Sequence, residues 1–380
     1  MYVVPERVGL TQLNILFDHQ IFIFQKYGGV SRYFYEVANR IAEIPGNKVE
    51  IFAPLYLTEY FDKNCRVRPW GIKAPASSRL ERIVGVVNRE LPRMLLKPRR
   101  DVDIFHETYY SVADCRPRSA KRVITVYDMI HEKFAEYFHQ RDRTGEIKAH
   151  AVRRADHVIC ISENTRRDLI ELVGVPEEKT SVVYLGYSLA TKVIVAKPAV
   201  GEKPYILYVG QRGGYKNFES LLRAYGSSPL LKNEFSVICF GGGGFTAREF
   251  ALMGSLNILP NSVMYMAGDD DVLAGLYAAA AVFVYPSLYE GFGIPPLEAM
   301  SFDCPVVCAN TSSLPEVVGD AAELFNPADE ASMCKALERV VTSKERVNFL
   351  IERGRERCKL FSWEKCASET LDVYKKVLQG

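Results

Sequence analysis

The chain has 380 residues, 48% of them hydrophobic and 25% charged, with a formal net charge of +2. That length exceeds one ordinary core and predicts two domains. The near-neutral balance gives no reason to expect a nucleic-acid partner, and the composition is that of a folded soluble protein rather than a disordered or fibrous one. The nine cysteines are scattered, odd in number and without a CxxC pair. That is the pattern of reduced, buried thiols rather than of a disulfide or zinc framework. The amino-terminal stretch carries charges before any long apolar run and does not read as a signal peptide. The most apolar segment, 273–286, has fourteen residues, short of the roughly twenty a membrane span needs. A cytoplasmic protein without a transmembrane helix is the expectation.

Residues 13–17 (LNILF) are a short β-rich run and the expected first buried strand. A loop over 18–29 ends in Tyr27-Gly28-Gly29. Ser31 can cap a helix to about Ile41, with Tyr33, Phe34, Val37, Ala38 and Ile41 on its apolar face. Strand, Gly-Gly loop and helix suit a dinucleotide-type phosphate site; they equally suit a tight turn that needs no ligand. Residues 49–53 read as the second strand. Alternation of strands and helices predicts an α/β chain with parallel, doubly wound sheets. Residues 79–100 hold Arg79, Arg82, Arg89, Arg93, Lys97, Arg99 and Arg100 among apolar residues at near-helical spacing. Such a stretch is either a surface helix docked on its own domain or a peripheral contact with an anionic membrane.

Residues 103–110 read as strand then loop, and His106 there either faces a ligand or is a satisfied core histidine. The buried strand 123–126 ends at Tyr127-Asp128. Polar residues just past the carboxyl end of a parallel strand lie where α/β sheets bind ligands. A polar helix over 140–154, a strand at 158–161 and a helix opening at Ser162 and stopped by Gly174 and Pro176 follow. A strand at 182–184 closes this half. The expected domains are 1–190 and 205–361, joined by a linker at 191–204, with 362–380 a terminal helix.

The second half restarts at 205–209 (YILYV), followed by a glycine loop with Arg212 and Lys216. A guanidinium fork beside a point charge suits a diphosphate; solvated loop charges are the alternative. After the strand 236–240, the turn from Gly241 to Gly244 either admits a nucleotide base or is a flexible corner. Asp269, Asp270 and Asp271 tempt a metal reading. An aspartate directly before an apolar helical run is a helix N-cap, so no metal is assigned. Residues 285–300 read YPSLYEGFGIPPLEAM, a strand end, a Gly-Phe-Gly turn and a Pro-Pro helix start between Glu290 and Glu298. Free amides of Gly291, Phe292 and Gly293 at a helix start favour an anion.

Taken in order, YVGQRGGYKNF, the Glu-x7-Glu stretch, the Pro-Val-Val strand and SSLPEVVGDAA resemble retaining glycosyltransferases of family 4 (group 1). The resemblance covers nearly the whole chain and implies the GT-B fold, two Rossmann-like domains facing across a cleft, with the last helix returning to the first. It implies transfer of a hexose from a nucleotide sugar to a surface-polysaccharide or lipid-linked saccharide acceptor, forming an α-linkage, with no metal and no cofactor. The wording around FDHQ, QKYGGVSRYF and VYDMIHEKF is similar to bacterial O-antigen mannosyltransferases, which favours GDP-mannose. A UDP-sugar, or a non-catalytic nucleotide-sugar-binding protein, is the alternative. Carried over residue by residue, Arg212 and Lys216 hold the diphosphate, Gly28 and Gly29 cap it from the first domain, and the amides of Gly291, Phe292 and Gly293 assist. Glu298 accepts from the ribose. Glu290 and Asp128 are the catalytic pair, Glu290 orienting the donor sugar rather than attacking it. The family often has His-Asp where this chain has Tyr127-Asp128, so the histidine contact is not carried over. Tyr127 and His106 fall on the acceptor or sugar side. The inner face of the cytoplasmic membrane is the implied place of work if 79–100 docks there.

Overall fold

The computed structural model describes residues 12–61, 65–75, 81–188, 201 and 203–379, apart from the side chains of 81 and 82. The amino-terminal segment, most of the expected linker 191–204 and the first two residues of the basic stretch at 79–100 lie outside the described residues.

Apolar runs such as LNILF and RVITV have no polar face, which suits strands covered by helices on both sides. Seven strands form one wholly parallel sheet: β1 (Leu13–Phe17), β2 (Asn47–Tyr56), β3 (Pro69–Lys73), β4 (Ile104–Glu107), β5 (Lys121–Val126), β6 (His157–Cys160) and β7 (Thr180–Val182). Six more form a second: β8 (Tyr205–Val209), β9 (Ser236–Phe240), β10 (Val263–Met266), β11 (Val282–Tyr285), β12 (Val306–Ala309) and β13 (Ala322–Phe325). The orders are β3-β2-β1-β4-β5-β6-β7 and β10-β9-β8-β11-β12-β13. Both reverse direction beside their first strand, between β1 and β4 and between β8 and β11. Such a reversal opens a crevice at the carboxyl ends of the strands. Two Rossmann-like domains therefore present their crevices to each other, which is the GT-B arrangement.

The helix Gly29–Ile41 buries Tyr33, Phe34, Val37, Ala38 and Ile41 against the first sheet, the face its spacing predicts. The final helix, Trp363–Gln379, packs on that helix from behind. Its Tyr374 hydroxyl lies 2.5 Å from His106 Nδ1, and Glu364 accepts from Arg40 at 2.8 Å. A Cβ on Gly186 would stand 2.3 Å from the Trp363 nitrogen, so the end of the first domain passes tightly over the start of this helix.

Some boundaries differ from expectation. The polar helix begins at Thr144 rather than 140, and β7 ends at Val182 rather than beginning there. The edge strand β3, PWGIK, carries a proline and a glycine, both strand-averse, and its exposure leaves no apolar run to read. Within 79–100 the helix is Glu81–Leu95. Asn88 docks it on β2, accepting from the Leu55 amide at 3.0 Å and donating to the Leu55 carbonyl at 2.9 Å. Ile83, Val86, Met94 and Leu95 remain exposed on its outer side.

Candidate active site

The two crevices meet in a cleft of about 540 Å³, lined by Gly28, Gly29, Arg32, Tyr127 and Asp128 from the first domain and by Lys216 and the loop from Glu290 to Glu298 from the second.

Local structure places the second-domain groups. The loop after β11 is pinned by its neighbour: the Glu290 amide donates to Ser312 Oγ at 2.9 Å. Ser313 Oγ donates to the carbonyls of Glu290 at 2.9 Å and Phe292 at 2.8 Å. Gly293, at φ +110°, then starts the helix Ile294–Ser301, a turn that a side chain would strain. Pro295 and Pro296 have no N–H, so the donors left at this helix start are the amides from Gly291 to Ile294. Those of Gly291, Phe292 and Gly293 make no hydrogen bond among the described residues. Gly291 is glycine for a reason the sequence did not suggest. A Cβ there would stand 1.7 Å from the Tyr127 carbonyl oxygen, so the close approach is to the other domain.

Lys216 Nζ is 2.7 Å from Glu290 Oε1, both side chains largely buried. Burial works against the ammonium, but Glu290, Tyr215 and Asp128 together outweigh it and the lysine is raised above its ordinary value. Asn217, in the left-handed region at φ 59°, fixes the turn that delivers Lys216. Its Nδ2 donates to the carbonyls of Pro286 at 3.1 Å and Pro327 at 3.0 Å. Glu298 lies buried beside the Tyr277 hydroxyl, and burial pushes its carboxyl up to about 7 against the opposing charge of Arg32. Asp128 faces this group from the first domain. Its Oδ1 accepts from the Ile130 amide at 3.1 Å. Lys148, wholly buried, donates to the Asp128 carbonyl at 2.8 Å and to Glu132 at 2.9 Å. A lone lysine in a polar helix gave no sequence signal for this support.

Three expected residues sit differently. Arg212 is turned away from the cleft and is not among its lining residues. Its Nε donates to Glu249 at 2.7 Å, Nη1 to the Gly241 carbonyl at 3.1 Å, and Nη2 to the carbonyls of Gly243 and Gly244 at 2.7 Å each. Positive φ at Gly241, Gly242 and Gly243 curls that loop around the guanidinium. The glycine turn is thus a buckle around Arg212, and the expected two-cation clamp is reduced to Lys216. His106 is a core histidine: Nε2 is 2.9 Å from Thr125 Oγ1, Nδ1 meets Tyr374, and burial lowers its pKa to about 3. It does not face the acceptor side of the cleft. Tyr127 lines the cleft, but its hydroxyl donates to the Thr108 carbonyl at 2.8 Å and points into the domain. Asp269 caps the helix Asp270–Ala279, accepting from the Val272 amide at 3.1 Å.

A polar seam that the sequence does not reveal holds the domains together beside the cleft. Tyr289 donates to Asp168 at 2.6 Å and accepts from Asn164 at 3.2 Å. Lys133 pairs with the same aspartate at 2.8 Å. Glu316 accepts from the amides of Glu163 and Asn164, each at 3.2 Å, so a carboxylate of the second domain caps a helix of the first. Arg32 is the other residue missed, a cleft-lining cation in the first turn after the Gly-Gly loop.

Residues 191–357 match the family model described as Glycosyl transferases group 1, and residues 27–191 match that of Glycosyltransferase Family 4. An O-antigen chain mannosyltransferase B from Escherichia coli is 30% identical over 300 residues, which are 74% of this chain and 78% of that protein. Among solved structures, sucrose-phosphate synthase from Thermosynechococcus elongatus superposes with a TM-score of 0.73 at 20% identity, over 97% of this chain and 100% of that one. HepE from Anabaena, in complex with UDP and glucose, gives 0.71 at 16% identity, over 96% and 100%. At these identities the two structures speak to the fold alone.

The raised carboxyl of Glu298 has a measurable consequence. Unfolded, it titrates near its ordinary 4.5; folded, near 7. Between those values the folded state keeps a proton that the unfolded state has lost, so stability falls as pH rises from about 4.5 to about 7. Glu298→Gln removes that loss and should stabilise the chain at pH 8 by on the order of 3 kcal/mol relative to wild type. Near pH 4.5 it should change little. Thermal unfolding at both pH values checks this, and a stability difference independent of pH would contradict it.

Proposed function

Because the chain belongs to the group 1 glycosyltransferases of family 4, we propose that it moves a mannosyl group from GDP-mannose to a surface-polysaccharide or lipid-linked saccharide acceptor, with retention of configuration and an α-linkage. The observation that carries the donor site is the convergence of Lys216, Glu290 and Glu298 with Asp128 at the carboxyl ends of both sheets. The mannosyl choice is supported by the Escherichia coli relative. A UDP-sugar is the second reading, favoured by the shared fold with HepE, which was solved with UDP.

In this reading the diphosphate lies against Lys216 and the amides of Gly291, Phe292 and Gly293, with Gly28 and Gly29 closing over it. Negative charge grows on the leaving phosphate as the glycosidic bond breaks, so donors fixed there bind the transition state more tightly than the ground state. Lys216 then lies between phosphate and Glu290 and fixes that carboxylate against the sugar hydroxyls. Glu298 accepts from the ribose. Asp128, held by Lys148, faces the acceptor from the first domain, and the leaving phosphate takes the acceptor proton on the face from which it departs. Lys216 supplies the positive charge, and the reaction runs without a metal.

Among the described residues no helix is long and apolar enough to cross a membrane. We propose instead that the helix Glu81–Leu95 rests on the inner face of the cytoplasmic membrane. Its exposed Ile83, Val86 and Met94 would enter the interface, while Arg89 and Arg93, which face Glu90 in this structure, would turn to anionic headgroups.

Turnover should be seen with GDP-mannose in a panel of GDP- and UDP-sugars, unchanged by EDTA, with an α-anomeric product. Glu290→Ala should lower kcat by about 10²–10³-fold. Transfer at the wild-type rate by that variant, or no turnover with any sugar of the panel, contradicts the reading. For the membrane contact, the chain should float with phosphatidylglycerol vesicles and not with phosphatidylcholine vesicles, and Met94→Asp should weaken flotation while leaving turnover of a soluble acceptor intact. Equal recovery on both vesicles sinks it.

A further inference from the structure

With Arg212 buckled into its glycine loop, the cleft is short of positive charge for a diphosphate. Its lining holds two cations, Arg32 and Lys216, and three carboxylates, Asp128, Glu290 and Glu298. Lys216 already faces Glu290. A nucleotide sugar brings about two further negative charges to one cation that is half neutralised.

Arg32 is the group positioned to meet that shortfall. It stands in the first turn of the helix Gly29–Ile41, three residues after Gly29, and its amide closes that turn on the Gly28 carbonyl at 3.0 Å. Its side chain is 18% exposed and 3.9 Å from Glu36, too long for a strong pair. One Nη2 donation, to Ser188 Oγ at 3.0 Å, is the hydrogen bond this guanidinium makes among the described residues. Arg212 occupies its whole fork with protein acceptors, whereas Arg32 keeps most of its donors for a ligand. Its charge also reaches across the cleft, since it is the larger of two influences, with the Tyr277 hydroxyl, that oppose the upward shift of Glu298. A planar fork matches two phosphate oxygens at once.

We propose that Arg32 is the second ligand of the donor diphosphate, supplied by the first domain where Arg212 of the second is unavailable. This rests on the nucleotide-sugar reading above. It has a mechanical corollary: with Lys216 on one domain and Arg32 on the other, the diphosphate itself ties the two halves of the cleft.

Calorimetric titration of the full chain with GDP and GMP, and with UDP and UMP, tests the assignment, because only the diphosphates reach both cations. Wild type should prefer the diphosphate. Arg32→Ala should weaken diphosphate binding by about 10- to 100-fold and leave monophosphate binding within about twofold, and Arg32→Lys should recover part of the loss. Arg212→Ala should lower Tm, by leaving Glu249 and three loop carbonyls unpaired, while keeping the diphosphate-to-monophosphate ratio. A wild-type ratio in Arg32→Ala overturns the role of Arg32 alone, as does a ratio lost in folded Arg212→Ala and kept in Arg32→Ala. A wild-type chain that binds neither diphosphate overturns the donor reading beneath it.

Discussion

The contact on which the site depends is a backbone-to-backbone one. Gly291 lies so close to the Tyr127 carbonyl that no Cβ fits between them. It brings the loop of the second domain that holds Glu290 against the strand end of the first that holds Asp128. The seam around it is polar and specific. Tyr289 reaches Asp168, Thr165 donates to the Gly291 carbonyl at 3.3 Å, and Glu316 caps the helix Glu163–Val173. Aromatic rings accompany these hydrogen bonds, Phe134 against Tyr289 and Tyr184 against Phe292, so the two domains share a continuous core beside the cleft. Residues 289–291 serve the seam and the cleft at once, so the contacts that join the domains also place Glu290.

The electrostatics of the cleft follow from the burial of its charged side chains, Lys216, Glu290 and Glu298. A buried ion pair gains little over its desolvation cost, yet removing one partner leaves a charge stranded. Lys216 and Glu290 are therefore held as a pair until a ligand joins them. Among the described residues Glu298 has no cation in hydrogen-bond range, and burial pushes its carboxyl up to about 7. An acceptor poised between its forms can take a ribose hydroxyl as a hydrogen-bond donor when ionised. The same raised carboxyl makes the cleft a place where this fold loses stability as pH rises from about 4.5 to about 7, which is common where geometry serves a ligand.

Much of this was legible in the sequence, and the limits have a physical pattern. Strands with continuous apolar runs, such as Leu13–Phe17 and Tyr205–Val209, could be read because burial on both faces leaves a plain signature. The edge strand Pro69–Lys73 could not, because exposure erases it. Lys216, Glu290 and Asp128 converge because each follows the carboxyl end of a strand, and Glu298 joins them from the helix that continues the Glu290 loop. Arg212 sits in the same kind of motif and goes elsewhere. Its partners Gly241, Gly243 and Glu249 lie 29 to 37 residues downstream, and nothing local distinguishes a clamp from a buckle. His106 went the same way, its fate set by Tyr374 some 268 positions on. Pairings at that range belong to the tertiary fold, as do the seam contacts of Tyr289 and Glu316.

Which groups touch the donor is tested most directly by a crystal structure of the chain with GDP-mannose. The prediction is a β-phosphate oxygen about 3 Å from Lys216 Nζ, the ribose against Glu298, the mannose against Glu290, and Arg212 still enclosed by Gly241 to Gly244. A nucleotide bound away from Lys216 and Glu298, or Arg212 swung out of its loop onto the phosphates, would contradict it.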